Sequence, residues 1–206
     1  VSYEYDQLLR TEALGNFKQL VHDVTTSGAM LFYLNGYLNT ASAPDENYAR
    51  EVMELFTLGE GSGYTESDVQ AAARVLTGWT VRETDALGDP VLPYTAFRPG
   101  QHVTTDKQFS AFFNNTVITG VSGPTAGETE LAALLDMIFA KEEVSKFICR
   151  ELYRFFVHGE IDAATETDVI EPLAQVFRDN VGAPDQMRIV VRALLTSDHF
   201  FSAQVR

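Results

Sequence analysis

Two stretches of this 206-residue chain carry side chains whose types and spacing could do chemistry. In the first, from Pro44 to Leu58, about 100° of rotation per residue puts Asn47, Arg50, Glu51 and Glu54 on one polar arc of a helix. Two carboxylates on such an arc suit general acid and base work, with Arg50 orienting an anionic group. The same letters also describe an ordinary helix surface, because Glu46, Arg50 and Glu54 follow one another at i,i+4 and would stabilise it by about 0.2–0.5 kcal/mol per pair. The second stretch runs from His102 to Lys107, where an imidazole, the Asp106 carboxylate and an ammonium fall within six residues of a segment without helical period. Its plain reading is a loop whose His102 and Asp106 bond backbone groups while Lys107 faces water. Glu51, Glu54 and His102 are therefore the catalytic candidates. Asn47, Arg50, Asp106, Lys107, Arg150 and Arg154 are the binding candidates.

Other chemistries find little support. His22, His102, His158 and His199 form no H-x-x-x-H pair, and the one cysteine, Cys149, has no thiol partner, so neither a metal site nor a cofactor is expected. Cys149 lies among Phe147, Ile148 and Leu152 and reads as a small buried hydrophobe. Gly120-Val121-Ser122-Gly123-Pro124 ends in proline where a nucleophile elbow needs glycine, and Gly59-Glu60-Gly61-Ser62-Gly63 matches no phosphate-binding fingerprint. Asp45-Glu46-Asn47 lacks the alternation of a calcium loop.

Charge narrows the partners further. Fifteen Lys and Arg against 29 Asp and Glu leave a net charge of −14, which repels a phosphate backbone and argues against nucleic acid. The longest apolar stretches, such as Ala29 to Leu34, fall far below the ~20 residues of a membrane-spanning helix. Hydrophobic residues at 45% are enough for one core at this length, so residues 1–206 read as a single helical domain. The chain opens at Val1 already close to helical sequence, which points to a fragment of a longer protein.

The elements that must position these residues are mostly helices. Tyr5 to Leu14 is stopped by Gly15, Asn16 caps Phe17 to Thr26, and Ala29 to Leu34 ends at Asn35-Gly36. Proline at the start and Gly59 past the end bound Pro44 to Leu58, and Thr65 caps a helix that runs to Thr77 before Gly78. Between Trp79 and Thr119, prolines and short β-prone runs predict an irregular insertion with a small sheet. Helices return at Glu128–Phe139, Glu142–Val157, Glu166–Asn180 and Asp185–Thr196. The expected fold is mainly α, a multi-helix orthogonal bundle with a small β or irregular insertion at about 79–119.

An offset of 100 positions exposes a repeat. Arg50-Glu51, Phe56, Gly59-Glu60, Thr65-Glu66 and Asp68-Val69 recur as Arg150-Glu151, Phe156, Gly159-Glu160, Thr165-Glu166 and Asp168-Val169, nine identities in the twenty positions from Arg50 to Val69. Shared cap chemistry could produce this match, and so could a duplicated helical hairpin. Duplication carries an expectation: because Glu54 matches Arg154, the helix Pro44–Leu58 would pack on Glu142–Val157 with Glu54 or Glu51 paired to Arg154 or Arg150.

The run from Asn35-Gly36 through Asn47-Tyr48-Ala49-Arg50-Glu51-Val52-Met53-Glu54-Leu55-Phe56-Thr57-Leu58-Gly59 and Ala72-Ala73-Arg74-Val75-Leu76-Thr77-Gly78-Trp79 resembles a bacterial family known as domain of unknown function 1800. The likeness continues through His102, Asp106-Lys107-Gln108-Phe109-Ser110 and Phe147 to Val157, and ends near Ser197-Asp198-His199-Phe200. Val103 stands where that family usually has Asp after the loop histidine, and Glu151 where it often has Lys. The resemblance implies a larger exported parent, a periplasmic, envelope or secreted location, and a co-encoded sulfatase-like partner. It supplies no activity.

Two functions are consistent with these residues. One is an exported helical binding or scaffold module acting on a protein partner or a glycan without its own catalysis. The other is a hydrolase or glycan-processing enzyme using Glu51, Glu54 and His102. In either case Trp79, directly after the Gly78 helix stop, is expected to anchor the insertion, since an indole has a large apolar area to bury. Trp79→Ala should cost about 3–5 kcal/mol in a denaturant titration, and the native emission should be blue-shifted. An emission maximum typical of solvated indole would contradict the anchor.

Overall fold

The computed structural model describes residues 2–202. Helices form where the periodicity and caps place them: α1 (Ser2–Glu12), α2 (Phe17–Thr25), α3 (Gly28–Tyr33), α4 (Asn47–Glu54) and α5 (Glu66–Val75) precede the insertion. After it come α6 (Ala126–Phe139), α7 (Glu142–Phe156), α8 (Ala163–Thr165), α9 (Glu171–Asp179) and α10 (Gln186–Leu195). The fold is mainly α, 54% helical, with a small β insertion. The Asn16 carboxamide accepts the Gln19 N–H at 3.1 Å and starts α2, as the cap residue predicts. Among the described residues no helix is long and apolar enough to cross a membrane.

The strands lie inside the expected window. β1 (Trp79–Thr84) pairs antiparallel with β2 (Pro90–Phe97), Trp79 opposite Phe97, with a bulge between Arg82 and Thr84. β3 (Lys107–Gln108) pairs with β4 (Val117–Ile118), Lys107 opposite Ile118. Trp79 is 7% exposed and its ring lies 5.4 Å from that of Phe97, so the indole is the buried anchor its position predicts.

Helix ends move by up to three residues at α1 and α6, and two helices differ from expectation in shape, each for a local reason. The helix expected from Pro44 to Leu58 is only Asn47–Glu54. At its start Asp45 instead makes a turn, its carboxylate accepting the Asn47 N–H at 2.8 Å while the Asn39 carboxamide accepts its own N–H at 3.0 Å. At its end the Phe56 and Leu58 N–H groups reach back five residues to the carbonyls of Glu51 and Met53, which widens the last turn. The segment expected as Glu166–Asn180 starts earlier, at Ala163, under an Asp162 cap, and passes through a π-type turn at Glu166–Ile170 before α9. Pro172 follows that turn, and the widened backbone absorbs the N–H that proline lacks.

The 100-residue repeat is present as repeated contacts. Arg50 pairs with Glu66, and Arg150 pairs with Glu166. The Leu58 N–H bonds the Met53 carbonyl at 2.8 Å, and the His158 N–H bonds the Tyr153 carbonyl at 3.2 Å. Buried positions also match, Ala49 with Cys149 and Met53 with Tyr153. The expected pairing between the copies does not form. α4 packs mainly on α5 and α7 on α9, Arg154 takes Glu151 on its own helix, and Arg150 takes Glu166 within its own hairpin. A partner sixteen residues away in the same hairpin is reached across a short loop, so Arg50 and Arg150 are each satisfied within their own copy.

Long-range ties hold the ends together. Gln186, 1% exposed, accepts from the Phe17 N–H at 3.1 Å and donates to the Phe177 carbonyl at 2.9 Å, joining the start of α2 to the last helix pair. The insertion is tied as closely, because a Cβ at Gly120 would run into the Thr104 carbonyl oxygen, well inside van der Waals contact. Backbone against backbone cannot yield as a flexible side chain can. Gly120→Ala should therefore cost about 2–3 kcal/mol, whereas exposed Gly100, with nothing near its Cβ position, should accept alanine within about 0.5 kcal/mol, both read from chemical denaturation. Equal melting curves for the two variants would contradict this close approach.

Candidate functional site

The loop candidates converge on a residue that periodicity did not single out, Glu130. It sits on α6, 1% exposed, below the insertion. Lys107, 0% exposed, points its ammonium at Glu130 Oε2 and at the Val103 carbonyl. The Val121 N–H donates to Glu130 Oε1 at 2.8 Å. His102 Nδ1 donates to the Thr77 carbonyl at 2.9 Å, since a carbonyl can only accept. Its Nε2 stands 3.1 Å from Glu130 Oε1 but off the hydrogen-bonding direction, so that contact is electrostatic rather than a formed bond.

These groups hold one another and are closed to solvent. Burial alone would raise the pKa of Glu130, but His102, Lys107 and the Val121 N–H outweigh it and keep the carboxyl below its ordinary 4.5. Burial draws the Lys107 ammonium below its ordinary 10.5 despite the Glu130 carboxylate beside it. Asp106, exposed, accepts the Gly120 N–H at 2.9 Å. The insertion is thus braced from three sides by polar contacts that the chain makes with itself.

The helix candidates are separate from this cluster. Asn47 donates to the Leu34 carbonyl at 3.2 Å. Arg50 is held by Glu66, with Glu46 at 3.4 Å. Glu51 has one carboxylate oxygen, Oε2, buried without a hydrogen-bond partner, and Glu54 lies half-buried nearby on α4. Neither carboxylate bonds His102, whose partners are Thr77 and Glu130. Arg150 and Arg154 are engaged by Glu166 and Glu151. Cys149 is fully buried and its thiol is pushed up to about 12 by that burial, so it is a packing group.

An open concavity lies elsewhere, in the second hairpin. A cavity of about 380 Å³ is lined by Tyr153, His158, Asp162, Thr165, Asp168 and His199. A second of about 310 Å³ adjoins it through Asp168, Val169 and His199 and continues over Pro172, Leu173, Val176 and Leu194. One cleft results, polar at one end and apolar at the other. Tyr153, 2% exposed, bonds His199 Nε2 at 2.9 Å and fixes that ring at the rim. Asp162 accepts the Thr165 N–H at 2.7 Å, and that bond holds its carboxyl below the ordinary 3.8. Asp168 is exposed, and no hydrogen bond or ion pair engages its carboxylate among the described residues. Among those residues no group of three or more His, Cys, Asp or Glu is placed to hold a metal ion. The sequence offered no periodic signal for this cleft, since its lining comes from the end of α7, α8 and a turn forty residues later.

The buried carboxylates set an acid limit on the fold. Glu130 and Asp68 both have folded pKa values below their ordinary 4.5 and 3.8, so each contributes stability that is complete above those values and is lost as pH falls through the lower folded ones. His22, raised above 6.5 by Asp23 and Glu128 against its burial, has the opposite sign and cannot produce that loss. Thermal melts from pH 7 down to pH 2 should show the melting temperature falling below about pH 4.5, and Glu130→Gln and Asp68→Asn should each flatten the fall. An unaltered acid limb in both variants would assign the protons elsewhere.

No curated protein and no solved structure matches the chain. The family described as "Protein of unknown function (DUF1800)" matches residues 1–206, the whole chain. The Arg50 and Arg150 hairpins, the Trp79 anchor and the loop from His102 to Lys107 thus stand within one matched unit, and the chain belongs to the DUF1800 family.

Proposed function

We propose that this domain is a binding module that engages a protein partner or a glycan through the cleft between α8–α9 and the His199 turn, without chemistry of its own. The observation that carries this reading is the placement of the reactive groups. His102 and Lys107 are turned inward onto Glu130, whereas Tyr153, His158, Asp168 and His199 line the open concavity. A hydrolase using Glu51, Glu54 and His102 would need those side chains to converge on a reacting bond, whereas His102 is buried against Thr77 and Glu130 and neither α4 carboxylate bonds it. Carboxylates accept hydroxyl and N–H donors, and the apolar end supplies contact area, which suits recognition by a few polar groups over an apolar floor. The family resemblance extends the proposal to an exported setting and to a co-encoded sulfatase-like protein as the first partner to test.

Amide and imidazole chemical shifts of the isotope-labelled domain would be followed while oligosaccharide fractions or the purified sulfatase-like protein are added. The expected result is a saturable perturbation centred on Tyr153, Asp168 and His199, unchanged by Glu51→Gln. Perturbations centred on α4, or substrate turnover abolished by Glu51→Gln or Glu54→Gln, would replace the module with the enzyme.

A further inference from the structure

In the first hairpin the loop between α4 and α5 is occupied by the chain's own insertion. Asp68, 0% exposed, receives the Ser110 N–H at 2.7 Å and the Ser110 hydroxyl at 2.8 Å, besides the Thr65 N–H and hydroxyl at 2.8 Å each. Two residues beyond Ser110, the Phe112 ring covers Gly63 so closely that a Cβ there would lie 2.9 Å from it. Phe113, 1% exposed, and the Phe109 ring complete an apolar plug, their centroids 5.6 Å apart. A short turn, Ser110-Ala111-Phe112-Phe113, thus fills the concavity with one aspartate as its polar anchor.

Moved forward 100 positions, the anchor Asp68 becomes Asp168 in the cleft. Met53, Leu58, Ser62, Thr65, Asp68 and Val69 become Tyr153, His158, Asp162, Thr165, Asp168 and Val169, all of which line it. One local change frees the anchor. α5 begins at Glu66, so Asp68 spends part of its carboxylate on the Thr65 N–H at the helix start. In the second copy the helix begins three residues earlier, Asp162 takes over the cap, and Asp168 lies inside the helical run with no capping duty. Its carboxylate faces the cleft, beside the apolar floor of Pro172, Leu173 and Leu194.

We infer that the cleft binds a peptide turn of another protein that presents a serine or threonine hydroxyl and its adjacent backbone N–H to Asp168 and inserts an aromatic side chain into the apolar half. The inference rests on the cleft being the ligand surface proposed above and adds the ligand class. Phosphorylation of that serine or threonine would oppose binding, because a phosphate would meet Asp168, Asp162 and Glu160.

The test uses the chain's own plug as a probe in trans. A fluorescein-labelled peptide covering residues 106–116 is titrated with the intact domain, and anisotropy reads the binding. Saturable binding is expected, weakened at least tenfold by Asp168→Asn in the domain and equally by Ser110→Ala in the peptide. Asp168 is exposed and its carboxylate makes no hydrogen bond or ion pair among the described residues, so its variant should keep the helical circular dichroism of the parent. Absent binding, or binding indifferent to Asp168→Asn, overturns the peptide inference. If an oligosaccharide or the sulfatase-like protein still perturbs Tyr153 and His199 in that case, the module reading survives and only the ligand class falls; if nothing does, both fall.

Discussion

The Glu130 carboxylate lies below the surface of α6, and the insertion is organised around it. Burying a charge costs several kcal/mol unless a counter-charge and hydrogen bonds replace water. Here the Lys107 ammonium and the Val121 N–H do so, with the His102 ring 3.1 Å away. The insertion has only two short two-stranded ladders, so its backbone alone could not fix its course. The groups that satisfy Glu130 come from different parts of the chain, Lys107 at β3 and Val121 after β4, with the His102 ring beside it before β3. The same carboxylate therefore positions the start and the end of the segment at once, and Asp106 on the Gly120 N–H and Asp68 on Ser110 close the gaps between.

That bracing explains why the two halves of the repeat differ although their helices follow one plan. Each copy has an arginine latched to a glutamate sixteen residues on, and each closes its first helix with a five-residue bond. The Arg50–Glu66 pair is largely exposed and contributes less than about 1 kcal/mol, so it sets the register of its hairpin more than its stability, while the Arg150–Glu166 pair is half-buried. What separates the copies is the space between the helices. In the first, the insertion held by Glu130 delivers Ser110 and Phe112 into the loop. In the second, no segment of the described chain arrives, and Tyr153, Asp168 and His199 line an open cleft.

Much of this could be read from residue order because it is local. Asn16 as a cap, Gly78 as a helix stop with φ +94°, the capped start at Thr65 and the strands between Trp79 and Thr119 all depend on neighbours a few positions apart. The repeat was legible as an identity pattern, but its meaning was not: Arg150 and Arg154 looked like partners for the first copy's glutamates, and each found a nearer one. The ends of α4 were misjudged because side chains of Asn39 and Asp45 compete for the backbone at the first turn. Glu130 could not be found from spacing, since it stands on α6 among apolar residues and meets Lys107 only through the fold. The cleft is illegible for the same reason, because His199 joins Tyr153 from forty-six positions away.

The central claim is that Lys107 is spent on holding Glu130 rather than on a ligand, and a double-mutant cycle tests it most directly. Lys107→Met strands the carboxylate, and Glu130→Gln strands the ammonium, so each alone should cost about 3–5 kcal/mol in denaturant-induced unfolding. Together they leave a neutral pair in which the glutamine oxygen still accepts the Val121 N–H. The account predicts that the double variant is more stable than either single one. Two small, additive losses would contradict it, because Lys107 would then be free for another task.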